Sequence, residues 1–374
     1  MFSRIRSFII IAAISFAGVY FKPASAEAEQ VTPSDRVVTQ LRVRAEPNTT
    51  SAIIARIKPE ESVERSGGVS GWWEVRLSDG QTGFVSKAWS RVIDDAINDV
   101  LRLGAWNIKK LGHGSDKDYP LVARIIDDHM DIVAVVEVMQ KGGGHPGYDD
   151  LLVALGADWI GFVTTDPRPN TGQGSAEFYA VLFKTKRVAL CEGWTGLVFH
   201  IDNDGGPDGN GENRFSREPA YTCLSARNAS GEIGFDFLLA PYHAVFAGGN
   251  VTTISAEAGH LESVFVAMAN ARQGENDLII AGDFNLMPAI LEGVVGRPVT
   301  TIGSGSTLNS SGELTQHLYD HFLIADSSAT VEISAPARVL DVRSSASSRP
   351  TFFSSASDHL PIVVNLDVSG PDDD

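Results

Sequence analysis

The sequence predicts two folded parts, a small all-β barrel followed by one large α/β domain. Two observations carry this reading. Over residues 36–93 short β-prone runs are separated by turn clusters, with little helical periodicity. From residue 100 to 368 apolar runs of strand length alternate with amphipathic segments of helical period, the rhythm of an α/β domain. Hydrophobic residues make up 43% and charged residues 21% of the 374 positions, which excludes disordered and fibrous classes.

Residues 1–26 are set apart from the fold. Arg4 and Arg6 precede an apolar run from Phe8 to Phe21, and Ala24-Ser25-Ala26 supplies the small-x-small pattern of a signal-peptidase site. The run is shorter than the ~20 residues that a spanning helix needs. The expectation is a cleaved signal peptide, a periplasmic or secreted product, and no stable membrane association after cleavage. An uncleaved anchor is the alternative. The net charge is −17 for the whole chain and −20 without residues 1–26. Such acidity argues against coating nucleic acid by bulk electrostatics, which rests on many Lys/Arg–phosphate contacts. It does not exclude an enzyme that meets phosphate through a bound metal ion. Two cysteines, Cys191 and Cys223, fall in the strand-like runs Arg187–Cys191 and Ala220–Ser225. In an exported chain they suit one disulfide, with two buried free thiols as the alternative.

In the first part the β-runs are Val37–Thr39, Leu41–Val43, Ile53–Ala55 and Trp73–Leu77. The strings Leu41-Arg42-Val43-Arg44-Ala45-Glu46-Pro47, Gly71-Trp72-Trp73-Glu74-Val75 and Asp79-Gly80-Gln81-Thr82-Gly83-Phe84-Val85 stand in that order. Together they resemble a bacterial Src-homology-3-like domain. The resemblance implies a module that binds cell wall or peptide; a packing appendage is the plainer reading.

After an acidic connector, Asp94 to Asp99, the second part begins. Leu121, Val122, Ile125 and Ile126 share one helical face, with Pro120 in the first turn. Asp131–Val136 reads as a strand buried on both sides. Ser255–Gln273 reads as one helix, with Leu261, Val264, Phe265 and Met268 in phase, leading into a strand at Leu278–Ala281. Polar residues gather where these strands end: Asn107, Glu137, Asp283 with Asn285, and Asp358 with His359. Ligands of α/β folds collect at strand ends. A Glu inside a buried run is costly unless paired or on a metal, and hard oxygen donors suit Mg²⁺, Ca²⁺ or Mn²⁺. His243 and His359 add groups that titrate near neutral pH.

The motifs Trp106-Asn107-Ile108, Val136-Glu137-Val138, Glu177-Phe178-Tyr179, Arg214-Phe215-Ser216-Arg217-Glu218-Pro219, Pro241-Tyr242-His243, Gly282-Asp283-Phe284-Asn285, Tyr319-Asp320-His321-Phe322 and Ser357-Asp358-His359-Leu360-Pro361 occur in this order. As a set they resemble the endonuclease/exonuclease/phosphatase superfamily, in its deoxyribonuclease I branch. The resemblance implies a four-layer sandwich of two mixed sheets flanked by helices. It implies Mg²⁺ or Mn²⁺ held by Glu137 with Asn107 and Asp358. Asp283 and Asn285 would grip the scissile phosphate or a second metal, with Asn107 also at the phosphate and Arg217 bracing it. His243 oriented by Glu177, and His359 oriented by Asp320, would serve as acid and base.

The implied function is a metal-dependent phosphodiesterase, a DNA endonuclease leaving 5′-phosphate ends. Alternatives are a sphingomyelinase-like phospholipid phosphodiesterase or phosphatase of the same fold, and a non-catalytic cell-wall-binding protein. Pancreatic-type relatives carry groove-reading arginine and tyrosine where this chain has Met139 and Ser175. The glycine-rich stretches Lys141–Gly147 and Thr171–Gly174 lie beside these two positions. An acidic, glycine-rich loop from Asp202 to Glu212, with Asp204 and Asp208, suits a structural Ca²⁺ site or a solvated turn; its spacing is not that of an EF-hand.

Overall fold

Alternation of apolar and polar side chains along short runs builds the first part. A computed structural model describes residues 30–370 apart from 35–36, 60, 94–98, 114–115, 166–176, 201–213, 326–332 and 334. The expected signal peptide, most of the acidic connector, Ser175 and the Asp202, Asp204 and Asp208 loop lie outside the described residues.

Seven strands come first: β1 (Gln30–Pro33), β2 (Leu41–Arg44), β3 (Ile53–Ile57), β4 (Val63–Val69), β5 (Trp72–Arg76), β6 (Thr82–Ser86) and β7 (Ser90–Ile93). They pair in the order β3-β2-β6-β5-β4-β1-β7, all antiparallel. Val31, Leu41, Val43, Ile57, Val75 and Val85 form their own core. The barrel expected here is an open path, since among the described residues no pairing joins β3 to β7. Val37–Thr39 is not a strand either. The Val37 amide donates to Ser34 O in a turn, and Val38 is 89% exposed.

The second part contains strands β8 (Val100–Leu111), β9 (Ile132–Met139), β10 (Trp159–Val163), β11 (Glu177–Lys184), β12 (Val188–Leu190), β13 (Val198–Phe199), β14 (Ala220–Arg227), β15 (Ile233–His243), β16 (Leu278–Asp283), β17 (Asp320–Ile324), β18 (Arg338–Val339) and β19 (Ile362–Asp367). Its helices are α1 (Tyr119–His129), α2 (Pro146–Leu155), α3 (Val251–Ala258), α4 (Leu261–Ala271), α5 (Pro288–Val295) and α6 (Arg349–Ser355). One sheet runs β10-β11-β9-β8-β19-β18, and the other β12-β14-β15-β16-β17 with β13 beside β14. Each is mixed, with one parallel pair: β8–β9 joined through α1, and β15–β16 joined through α3 and α4.

The period of two then makes four layers. On β9, Ile132 and Ala134 face the second sheet, while Val133, Val135 and Val138 face α1 and α2. On β15, Phe237 and Leu239 face the first sheet, while Leu238, Ala240 and Tyr242 face α3 and α4. The expected sandwich of two mixed sheets flanked by helices is the observed architecture.

Helix α1 begins where Asp118 Oδ1 accepts from Leu121 N at 2.9 Å, and buries Leu121, Val122, Ile125 and Ile126. The single helix expected over Ser255–Gln273 is two. Gly259 N bonds to Ser255 O and His260 N to Glu257 O, so the chain turns between Ala258 and Leu261. The Cys191–Cys223 disulfide forms, joining the residue just past β12 to the interior of the adjacent strand β14. Among the described residues no helix is long and apolar enough to cross a membrane.

A buried ion pair locks the start of β8 to the turn before β9. Asp131, 3% exposed, accepts from Arg102 N, Nε and Nη2 at 2.8–3.1 Å, and Lys184 Nζ lies 3.5 Å away. Burial raises the Asp131 carboxyl, but Arg102, Lys184 and Arg187 outweigh it and hold it at about 2. A carboxyl depressed on folding contributes stability above its unfolded pKa and loses it as pH falls through the folded value. Asp131→Asn should therefore cost about 3 kcal/mol at pH 7. The gap to the parent should narrow as pH falls from about 4 toward 2, measured by urea unfolding at a series of pH values.

Candidate active site

The topology delivers polar residues to one rim. Parallel strands contribute from their C-terminal halves: Asn107 on β8, Glu137 on β9, His243 on β15 and Asp283 on β16. Antiparallel neighbours contribute from their beginnings: Glu177 opens β11 and Asp320 opens β17, while Asp358 and His359 precede β19. In the second sheet the register sets His243 beside Asp283 and Asp283 beside Asp320. Gly282 permits this. Its φ is 148°, and a Cβ there would lie 2.1 Å from Tyr242 O.

Two histidine–carboxylate pairs meet at Asp283. His243 Nδ1 lies 2.9 Å from Glu177 Oε2, and His359 Nδ1 lies 2.8 Å from Asp320 Oδ2. The Nε2 of each ring is 3.6 Å from the same Asp283 Oδ2. Each imidazole is thus oriented from behind by one carboxylate and presents Nε2 to a shared point. Burial lowers the His359 ring, but Asp320, Asp283 and Asp358 together raise it to about 10. Burial raises Glu177, and its contacts with His243 and Arg217 bring it down to about 2. Asp283, Asp320 and His359 also converge closely enough to suggest a metal cluster. The 2.8 Å contact at Nδ1 and the ring's preference for the proton fit a hydrogen-bonded relay better than ligation.

Asn107 links these pairs to the first sheet. Its Nδ2 donates to Glu137 Oε1 at 3.0 Å and to Asp283 Oδ2 at 3.1 Å, while its Oδ1 accepts from Lys109 N at 3.1 Å. The amide oxygen is therefore turned to the backbone, and the nitrogen toward the two carboxylates. Glu137 Oε2 accepts from Lys110 N at 2.8 Å. Asp358 Oδ2 faces the ammonium of Lys109 at 3.2 Å. Asn285 N donates to Asp283 Oδ1 at 3.0 Å, and its side-chain amide donates to Ala244 O at 3.1 Å. Lys110, Glu137 and Asn285 all have positive φ, at 49°, 58° and 51°. Non-glycine residues adopt this region rarely, and such strain concentrates at functional sites.

Arg217 reaches the site as expected, but its donors are engaged by protein. Nε lies 2.6 Å and Nη2 3.0 Å from Glu177, and Nη1 donates to His243 O and Ala244 O. In this arrangement it fixes Glu177 and the end of β15. Met139 is 1% exposed and lies in the core beside β11, so that position presents nothing to a groove.

Lys117 and Glu257 stand in none of the motifs read from the sequence, and Ser357 stands there only as the first residue of its motif. Ser357 Oγ donates to Asn107 O at 2.6 Å and accepts from His359 N at 3.0 Å, tying the two halves of the rim. Lys117 Nζ donates to the carbonyls of Ile108, Lys109 and Ala356. Burial lowers its ammonium to about 8, although Asp358 and Glu137 oppose this. Glu257 on α3 is buried and accepts from Tyr242 Oη, Val245 N and Ser216 N at 2.8–2.9 Å. It thereby fastens the Arg217 loop to the end of β15. Glu257→Gln replaces one acceptor oxygen by a donor and should cost about 2 kcal/mol, read by urea unfolding.

Comparison with known proteins agrees with this architecture. Residues 39–91 match the bacterial SH3 domain model. A curated protein called deoxyribonuclease from Thioalkalivibrio sp. (strain K90mix) is 31% identical over 230 residues, 60% of this chain. The match spans 58% of that protein's length. An endonuclease/exonuclease/phosphatase family protein from Bacteroides thetaiotaomicron superposes with a TM-score of 0.50 at 18% identity, covering 71% of this chain and 94% of its own. Residues 39–91 are thus similar to a bacterial SH3 domain, and the domain that follows has the fold of the endonuclease/exonuclease/phosphatase family protein.

Proposed function

We propose that the protein is a metal-dependent phosphodiesterase that hydrolyses DNA internally and leaves 5′-phosphate ends. The observation that carries this is the pair of imidazoles whose Nε2 atoms face one point, each backed by its own carboxylate. Hydrolysis of a phosphodiester forms a bond from water oxygen to phosphorus and breaks the bond to the 3′ oxygen. One imidazole takes the proton that water loses; the other gives a proton to the departing oxygen. Glu177 and Asp320 hold the rings in the tautomer that leaves Nε2 free for this exchange. The Asn107 side-chain amide and the Asn285 backbone amide both donate to Asp283 and so hold that carboxylate between the two rings.

The donor set fits a divalent ion. Glu137 and Asp283 both lean on one Asn107 amide nitrogen, an arrangement of like charges that a cation relieves. Glu137 and Asp358 would hold Mg²⁺ or Mn²⁺, with Asn107 orienting Glu137. When bound, the ion supplies positive charge to the non-bridging oxygens of the phosphate. We also place the protein outside the cytoplasm; the Cys191–Cys223 disulfide supports this, since such bonds persist in oxidising compartments.

Nicking of supercoiled plasmid tests the reading. Purified protein should nick with Mg²⁺ and not with EDTA, and His243→Ala and His359→Ala should each lower the rate by about 10²–10⁴-fold. Folded protein that leaves plasmid intact but releases phosphate from a monoester, or phosphocholine from sphingomyelin, would transfer the assignment to those substrates.

A further inference from the structure

The N-terminal domain differs in charge from everything after it. Residues 30–93 hold nine Lys/Arg against seven Asp/Glu, whereas residues 94–374 hold 18 against 38. The excess is concentrated on one face of the sheet. Leu41, Val43, Ile57, Val75 and Val85 point into the core, so Arg42, Arg56, Trp72 and Phe84 point away from it. Arg42 and Arg56 are directly opposite each other across β2 and β3, and both are exposed. Neither has a carboxylate partner among the described residues. Like charges in that position destabilise a sheet.

The row continues across the face. Arg44 sits opposite Phe84, which sets Arg42 level with Ser86; Ser86 sits opposite Trp72, and Trp72 opposite Val69. Five strands at ~4.8 Å spacing make this row about 19 Å long. Glu74 lies on the same face, across from Phe84, and Glu64 is paired with Arg76.

We propose that this face binds the phosphate backbone of a DNA strand, with Arg42 and Arg56 on phosphates and Trp72 against a base. The proposal rests on the nuclease reading for its biological sense. Complementary charge and a flat aromatic surface are what strand binding without sequence preference uses. The acidic domain that follows repels a polyanion everywhere except at its metal cleft. The basic face answers that: it holds substrate near a domain that would otherwise lose it between cuts, at the cost of an unrelieved arginine pair.

The test uses the full protein and a labelled 30-nucleotide DNA, with binding read by fluorescence anisotropy in EDTA, where no hydrolysis occurs. Arg42→Gln/Arg56→Gln should weaken binding about tenfold and reduce the log–log salt slope by about 1.5. Arg42→Lys/Arg56→Lys should keep the slope, and Trp72→Ala should weaken binding at an unchanged slope. The melting temperature of the Gln pair should be equal to or above that of the parent, which excludes misfolding as the cause. Hydrolysis of bis(p-nitrophenyl) phosphate, too small to span both places, should be unchanged in the Gln pair. Parent protein that does not bind DNA in EDTA, or a Gln pair with parental affinity and slope, overturns the proposal. Parent protein that binds DNA but hydrolyses neither plasmid nor the small diester would instead remove the nuclease reading while the binding face stands.

Discussion

The carboxylate of Asp283 is the point on which the two sheets must agree. Its Oδ2 meets the Asn107 amide of the first sheet, His243 of the second, and His359 from the loop that re-enters the first. A shift of the sheets by a fraction of an ångström would break one of these contacts. What fixes their separation is the apolar layer between them, including Leu103, Ala105, Ile132 and Ala134 on one side and Leu239, Ile279, Ala281 and Phe322 on the other. Close-packed interiors resist such displacement. The small residues Ala105, Ala134 and Ala281 let the sheets approach, so the core and the chemistry are one geometric problem.

Around that point the backbone is held where local preference would not put it. Glu137 and Asn285 lie in the left-handed region, and each conformation costs about 1–3 kcal/mol. Hydrogen bonds over-determine both: Glu137 is fixed by Asn107 and Lys110, Asn285 by Asp283 and Ala244. The effect is to aim a carboxylate and an amide off the ends of strands whose other side chains are committed to the core.

Much of this was legible in the sequence, for a physical reason. Buried strands announce themselves by composition, and a polar residue that interrupts such a strand, as Glu137 does, or closes it, as Asp283 does, has few reasons to be there. The supporting residues had no such signature. Lys117 acts on the carbonyl of Ala356, 239 positions away, and Ser357 on that of Asn107, 250 away; carbonyls carry no sequence identity to read. Glu257 looked like one more acid on a helix, and the break at Gly259 that separates its helix from the next was hidden by uninterrupted apolar phasing. Val37–Thr39 had the composition of a strand, but the Val37 amide is taken by Ser34 O and the segment became a turn. Asn107 was legible as a site residue while its orientation was not, because only the Lys109 amide decides which way its oxygen faces.

The charges of the site make a cation from outside a consequence of the proposed chemistry. Arg217 is engaged by Glu177 and two carbonyls, Lys109 faces Asp358, and Lys117 donates to three carbonyls. These cations stabilise the frame and have little left to offer a phosphate. The rim meanwhile gathers Glu137, Glu177, Asp283, Asp320 and Asp358, a surplus of negative charge into which an anionic diester would not enter unaided. The His359 imidazolium, favoured by Asp320, Asp283 and Asp358, offsets part of it. A metal ion on Glu137 and Asp358 would reverse the local sign where the diester arrives and leave the histidines free to exchange protons. On the proposed reading, the acidity of this domain would then confine attack to the place where that sign is reversed.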